Sequence, residues 1–103
     1  MKLIIAIVHA EDANNVQNAL TENGFYVTKL NTSGGFLKKG NVTFFLGTED
    51  TKVENATMLI KQNTKKRNVS SNDINDLFNP DAIRKPTSGT AVFVLDVEQF
   101  EKY

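Results

Sequence analysis

The chain has 103 residues, with 12 lysines and arginines against 12 aspartates and glutamates, and a formal net charge of zero. That length suits one domain around one core, and the balanced charge argues against a general role on nucleic acid or a membrane surface, which calls for a basic excess. The absence of cysteine excludes disulfides, thiolate metal sites and cysteine nucleophiles, and agrees with a reducing cytoplasm.

Leu3 to Val8 is aliphatic at every position, which suits a central strand covered on both faces. A signal peptide fits less well, because the run is short, no small-residue cleavage site follows it, and Glu11 and Asp12 come next. No run approaches the ~18 apolar residues that a membrane helix needs, so a cytoplasmic protein without a membrane partner is expected. A strand apolar on both faces also asks what covers the second one, such as another subunit.

Glu11 and Asp12 offer an N-cap and negative charge for a first helix. Val16 and Leu20, flanked by Ala13 and Ala19, form its apolar stripe, and Gly24 is the natural stop. Phe25 to Leu30 returns to residues that favour strands. Between it and the next strand, Thr32-Ser33-Gly34-Gly35 and Lys39-Gly40-Asn41 carry turn chemistry. The apolar pair Phe36-Leu37 sits between those turns, followed by Lys38-Lys39. Two readings stand side by side: a loop that wraps a flat anionic ligand, or a hairpin tip tucked onto the core.

Val42 to Leu46 reads as the third strand, ended by Gly47, and Thr51-Lys52-Val53-Glu54 fits a capping box. Val53, Ala56, Thr57 and Ile60 keep the helical period, and Lys65-Lys66-Arg67 falls where cations favour a helix C-terminus. Asn68 to Gly89 is rich in Asn, Ser, Asp and Pro, with Ile74, Leu77, Phe78 and Ile83 as scattered anchors and one possible helical turn over Asp73 to Phe78. A connection of this length is usually functional or disordered. Thr90 to Val97 is the last strand, and Glu98-Gln99-Phe100 starts a short tail.

The order strand, helix, strand, strand, helix, strand predicts an α+β, ferredoxin-like βαββαβ fold. It has a four-stranded antiparallel sheet with two helices on one face, in a single domain over 1–103 with long loops at about 31–41 and 68–89. Nothing points to an enzyme, a metal or a cofactor. His9 is the only histidine and lacks further ligands or an orienting partner, and Glu49-Asp50 reads as charge at a helix start. Acylphosphatases of this fold carry a glycine-rich phosphate loop after the first strand, where this chain has Val8-His9-Ala10-Glu11. An RNA-recognition motif would need a second aromatic platform in the first strand, and there is none.

MKLIIAIV, Val27-Thr28-Lys29-Leu30, Gly34-Gly35-Phe36-Leu37, Gly40-Asn41, Thr43-Phe44, Gly47, Ala91-Val92-Phe93-Val94 and Val97-Glu98-Gln99-Phe100 together resemble the P-II-like cyclic-di-AMP receptors of Gram-positive bacteria. The likeness covers roughly residues 1–67 and 89–100 and is most specific in T-K-L-x-T-[TS]-G-G-F-L-x-x-G-N. It implies a homotrimer with sheets turned inward, a nucleotide second messenger in clefts between subunits, and signalling through ligand-dependent loop ordering without catalysis. By position, Thr28 is implied to bond an adenine or phosphate. Gly35, Phe36 and Leu37 are implied to wrap a base, Asn41 to read a base edge, Gly47 to admit the ligand, and Phe93 to line the cleft.

The sequence departs from the family where Asn-Phe-Arg is usual and Gly24-Phe25-Tyr26 stands instead, which puts Tyr26 at the site. Losing one charged contact costs on the order of 2 kcal/mol, or tens-fold in affinity. Lys29, Lys38 and Lys39 are the compensating cations to consider. The second long loop is shorter than usual and lacks the family's glycine, tyrosine and proline pattern, and the terminal Gln-Phe is Lys102-Tyr103. Cyclic-di-AMP is the expected ligand. The alternatives are a divergent paralogue that binds another small molecule or docks a protein partner through Asn68–Gly89 and, behind these, RNA binding on an exposed sheet.

Overall fold

In the computed structural model, the aliphatic run at the start of the chain forms β1 (Lys2–His9), the strand with a neighbour on each side. The structure describes residues 1–30, 40–65, 67–68, 86–87 and 89–103. After β1 come α1 (Ala10–Glu22), β2 (Thr28–Leu30) and β3 (Asn41–Thr48), then a 3-10 turn over Asp50–Lys52 leading into α2 (Val53–Gln62). A two-residue pair, β4 (Arg67–Asn68) and β5 (Pro86–Thr87), precedes β6 (Ala91–Asp96). The main sheet has four strands in the order β2-β3-β1-β6, all antiparallel. The expected α+β sheet with two helices is therefore present. The small ribbon of β4 and β5 is an addition, since Asn68 to Gly89 carried no strand in the sequence reading.

The register divides the sheet into two faces. Ile4, Ala6 and Val8 of β1 and Val42, Phe44 and Leu46 of β3 share one face and pack with Ala13, Val16 and Leu20 of α1 and Ala56 and Ile60 of α2. All of these are buried, so the two helices cover this face and build the core on it. The opposite face carries Leu3, Ile5 and Ile7 beside Gly47, Phe45 and Thr43 on one flank and Leu95, Phe93 and Ala91 on the other. It is apolar and partly open, with Leu95 45% and Phe93 37% exposed.

Strand β6 is an edge, and it is exposed from Val92 to Leu95 on both faces. Long apolar edges template pairing with other chains unless something covers them.

Several local expectations change. His9, not Glu11 or Asp12, caps α1: its Nδ1 accepts from the Glu11 amide at 3.1 Å, and the two acids occupy the first turn. The Gly24 stop holds. Gly24 has φ +87, its amide bonds Thr21 O at 3.1 Å, and the Phe25 amide bonds Leu20 O at 3.0 Å, which is a Schellman closure. Phe25 is thereby drawn onto the core instead of opening β2, which starts three residues later. Thr51 lies within the 3-10 turn, so its hydroxyl forms no cap, and Lys52 takes the cap position without a side-chain bond. Gly47 lies inside β3 rather than ending it, because β3 runs on to pair Thr48 with Lys2. α2 stops at Gln62, so Lys65 lies beyond the helix end.

Candidate functional site

Thr28 stands opposite Phe45, and Gly47 stands opposite Leu3. This pairing sets one hydroxyl, one aromatic ring and one position without a side chain next to each other on the open face. The chain approaching β2 brings Tyr26 to the same place. On the other side, Val97 donates its amide to Met1 O at 3.2 Å, which ties the C-terminal tail to the start of β1. Met1, Leu3, Tyr26, Thr28, Phe45, Leu46, Gly47, Val97, Phe100, Glu101 and Lys102 then line one groove of about 770 Å³. That volume lies within the usual range for small-molecule and cofactor sites.

The chemistry of the groove follows from its walls. Its floor is apolar, so a flat ring can be desolvated there, and Tyr26 and Phe100, 92% and 65% exposed, offer aromatic surface. The Thr28 hydroxyl can donate or accept a bond at the edge of such a ring. Gly47 leaves space: a Cβ built on it would lie 3.3 Å from Met1 Cε. A second hollow of about 340 Å³ shares Met1, Tyr26 and Gly47 and adds Asn23, Gly24, Phe25, Thr48, Glu49, Lys52 and Asn55. Tyr26 thus lines both hollows.

The structure therefore brings Tyr26, Thr28 and Gly47 together. It does not bring Asn41 to them within one chain. Asn41 pairs with His9 at the far end of β3, six residues from Gly47 or about 20 Å along the strand. Phe93 lies in the same row as Phe45 but on the other side of Ile5, about 10 Å across two strand spacings. Gly35, Phe36 and Leu37 lie outside the described residues, as do Lys38 and Lys39. Lys29 stands opposite Phe44, on the helix-covered face, and so turns away from the groove.

The tail residues Phe100, Glu101 and Lys102 line the groove as well, and the site expected from the sequence does not include them. No group of three or more His, Cys, Asp or Glu able to hold a metal occurs among the described residues.

Comparison with known proteins gives this groove its context. The family described as Cyclic-di-AMP receptor matches residues 1–103. The chain belongs to that family. A receptor family implies a non-catalytic binding protein. The chain is also similar to a functionally unknown protein from Pediococcus pentosaceus ATCC 25745, known from a crystal structure. The two share 35% identity over 99% of this chain and 96% of that chain, with a TM-score of 0.71. Among the described residues, no helix is long and apolar enough to cross a membrane.

Proposed function

We propose that this chain is a cytoplasmic P-II-like signalling protein that binds cyclic-di-AMP in clefts between the subunits of a homotrimer. The observation that carries the reading is the groove in which Thr28, Tyr26 and Gly47 meet on the open sheet face of a chain from a cyclic-di-AMP receptor family. An adenine has a π-face for Tyr26 and a polar edge for the Thr28 hydroxyl, and Gly47 lets the ligand approach the strand. Gly35, Phe36 and Leu37 are assigned to wrap a base, on the sequence pattern alone. Asn41 and Phe93 stand too far from the groove within one chain, and the proposal assigns them to the walls that neighbouring subunits share.

The trimer answers the physical problem of the open face. An assembly with sheets inward would bury Leu3, Ile5, Phe93 and Leu95, at roughly 25 cal/mol per Å² of apolar surface. RNA binding on the same face is the weaker alternative, since its described positions, from Thr28 and Leu30 across to Leu95, include no lysine or arginine. A protein partner is assigned to Asn68–Gly89, on the sequence pattern alone.

Calorimetry with cyclic-di-AMP, ATP and cyclic-di-GMP tests the ligand. Heat with cyclic-di-AMP and much less with the other two is expected. No heat from cyclic-di-AMP at tens of micromolar protein would overturn the reading. Light scattering tests the assembly, and a monomer would remove the cleft between subunits.

A further inference from the structure

The groove needs a positive charge if its ligand carries phosphodiesters, and neither cation position nearest in sequence supplies one: Tyr26 is neutral and Lys29 faces away. Among the described residues lining the groove, Lys102 carries the only cationic side chain, and the Met1 amine there is paired with Asp50. Lys102 sits on the tail that leaves β1 at the Val97–Met1 bond and runs along the groove through Phe100 and Glu101.

Its neighbour Glu101 also lines the groove and would be the obvious group to neutralise it. Glu101 keeps its charge, but both its oxygens accept from neutral donors and it forms no ion pair with Lys102. Its Oε1 accepts from Gln99 Nε2 at 2.9 Å and its Oε2 from the Tyr103 hydroxyl. The Tyr103 hydroxyl, and after it the Gln99 amide, hold the Glu101 carboxyl below its ordinary range, which keeps it ionised and engaged with those donors. No ion pair engages Lys102 among the described residues, where the pairs are Met1 amine with Asp50 and Lys2 with Asp96. The tail thus folds an anion onto its own neighbours and leaves an exposed ammonium beside an apolar cleft.

We propose that Lys102 is the phosphate-contacting residue of the groove, pairing with a phosphodiester oxygen of the bound nucleotide while the base lies toward Tyr26 and Thr28. This inference rests on reading the groove as a nucleotide site. A lysine serves here as a point charge on a flexible stem, so the contact is electrostatic and screened by salt.

The test is calorimetry of the intact chain and its Lys102→Met, Lys102→Arg and Lys29→Met variants, with cyclic-di-AMP and with adenosine, at low and high ionic strength. Lys102→Met is expected to weaken cyclic-di-AMP binding about ten-fold at low salt, by loss of one charge-assisted contact. The gap closes at high salt, Lys102→Arg stays near wild type, Lys29→Met is unchanged, and adenosine binding is the same in all four. Unchanged cyclic-di-AMP affinity in Lys102→Met overturns the assignment. So does an equal loss for adenosine, which would mean that the tail only packs. Wild-type protein that binds neither ligand overturns the nucleotide reading itself, and this inference with it.

Discussion

The wholly buried carboxylate of Asp12, in the first turn of α1, accepts from the backbone amide of Lys65 at 3.4 Å, across 53 residues of sequence. The bond joins the start of one helix to the chain leaving the other, immediately before the connection toward β6. It does so where the positive end of the α1 dipole already favours an anion. Asp12→Ala removes the acceptor, and the exposed Lys65 can turn its amide to water, so a loss of about 1 kcal/mol is expected, read as a lower urea midpoint. Asp12→Asn keeps one carbonyl acceptor and should lose less. A midpoint unchanged in both variants would mean that the bond contributes nothing to folding.

Two glycines make a sharper pair. Gly24 has φ +87, and a Cβ there would meet nothing within 4 Å, so Gly24→Ala is a test of backbone strain alone. A loss of about 1 kcal/mol in stability is expected, by equilibrium unfolding. Gly47 has ordinary backbone geometry, and its added Cβ would meet only the flexible end of Met1 at 3.3 Å, with Lys2 O at 4.0 Å. Gly47→Ala should therefore fold with nearly wild-type stability while narrowing the groove. In calorimetry, cyclic-di-AMP affinity is expected to drop several-fold for Gly47→Ala, an effect Gly24→Ala should show weakly. If the stability losses are reversed between the two, the strain argument is wrong.

Why some of this was legible in the sequence and some was not follows from the length scale of each signal. The aliphatic run Leu3–Val8 and the Val16–Leu20 and Ala56–Ile60 stripes each report on one element, and the elements and their order follow from them. The start of β2 was misjudged because Phe25 favours strands locally, yet it serves as the apolar residue that closes the Schellman turn on Leu20. The capping box failed for a similar reason, since a 3-10 turn beginning at Asp50 shifts the helix start past Thr51. In the site, Tyr26, Thr28 and Gly47 were named from pattern likeness. Phe100 and Lys102 were not, because their position depends on the bond between Val97 and Met1, residues at opposite ends of the chain.

Lys2 and Asp96 face each other across β1 and β6 and form an exposed ion pair. The Lys2 hydrogen bond, then its charge, lowers the Asp96 pKa from 3.8, and the Asp96 hydrogen bond raises the Lys2 pKa from 10.5. The sign for the carboxylate is that its contribution is present above its unfolded value and is lost as pH falls through the lower folded value. For the amine, the contribution is present below its unfolded value and lost as pH rises through the higher folded value. The stability gap between wild type and Asp96→Asn is therefore expected to be flat from about pH 5 to pH 9 and to close outside that window. Both groups are exposed, so the gap should be small and shrink further in high salt. Denaturant titrations across pH check this, and a gap that persists at pH 2 would contradict it.

The exposed apolar strand β6 bears on assembly more directly than any single contact in the groove. Leu95 is 45% exposed and sits opposite Leu3 on the open face, while Val94, equally exposed, points to the other side. A chain on its own gains little from a leucine there, because nothing among the described residues packs it away from water. Leu95→Glu should accordingly leave the folded chain intact by circular dichroism. In a trimer with sheets inward, the same change would place a carboxylate against apolar partners in each subunit, and an unpaired buried charge costs several kcal/mol. Light scattering is therefore expected to give a trimer for wild type and monomers for Leu95→Glu, with weaker cyclic-di-AMP binding in the variant because the cleft between subunits is lost. A variant that stays trimeric would show that Leu95 is not at the interface. A wild type and a variant that are both monomers, with equal affinity for the nucleotide, would show that the Tyr26–Thr28 groove works within one chain.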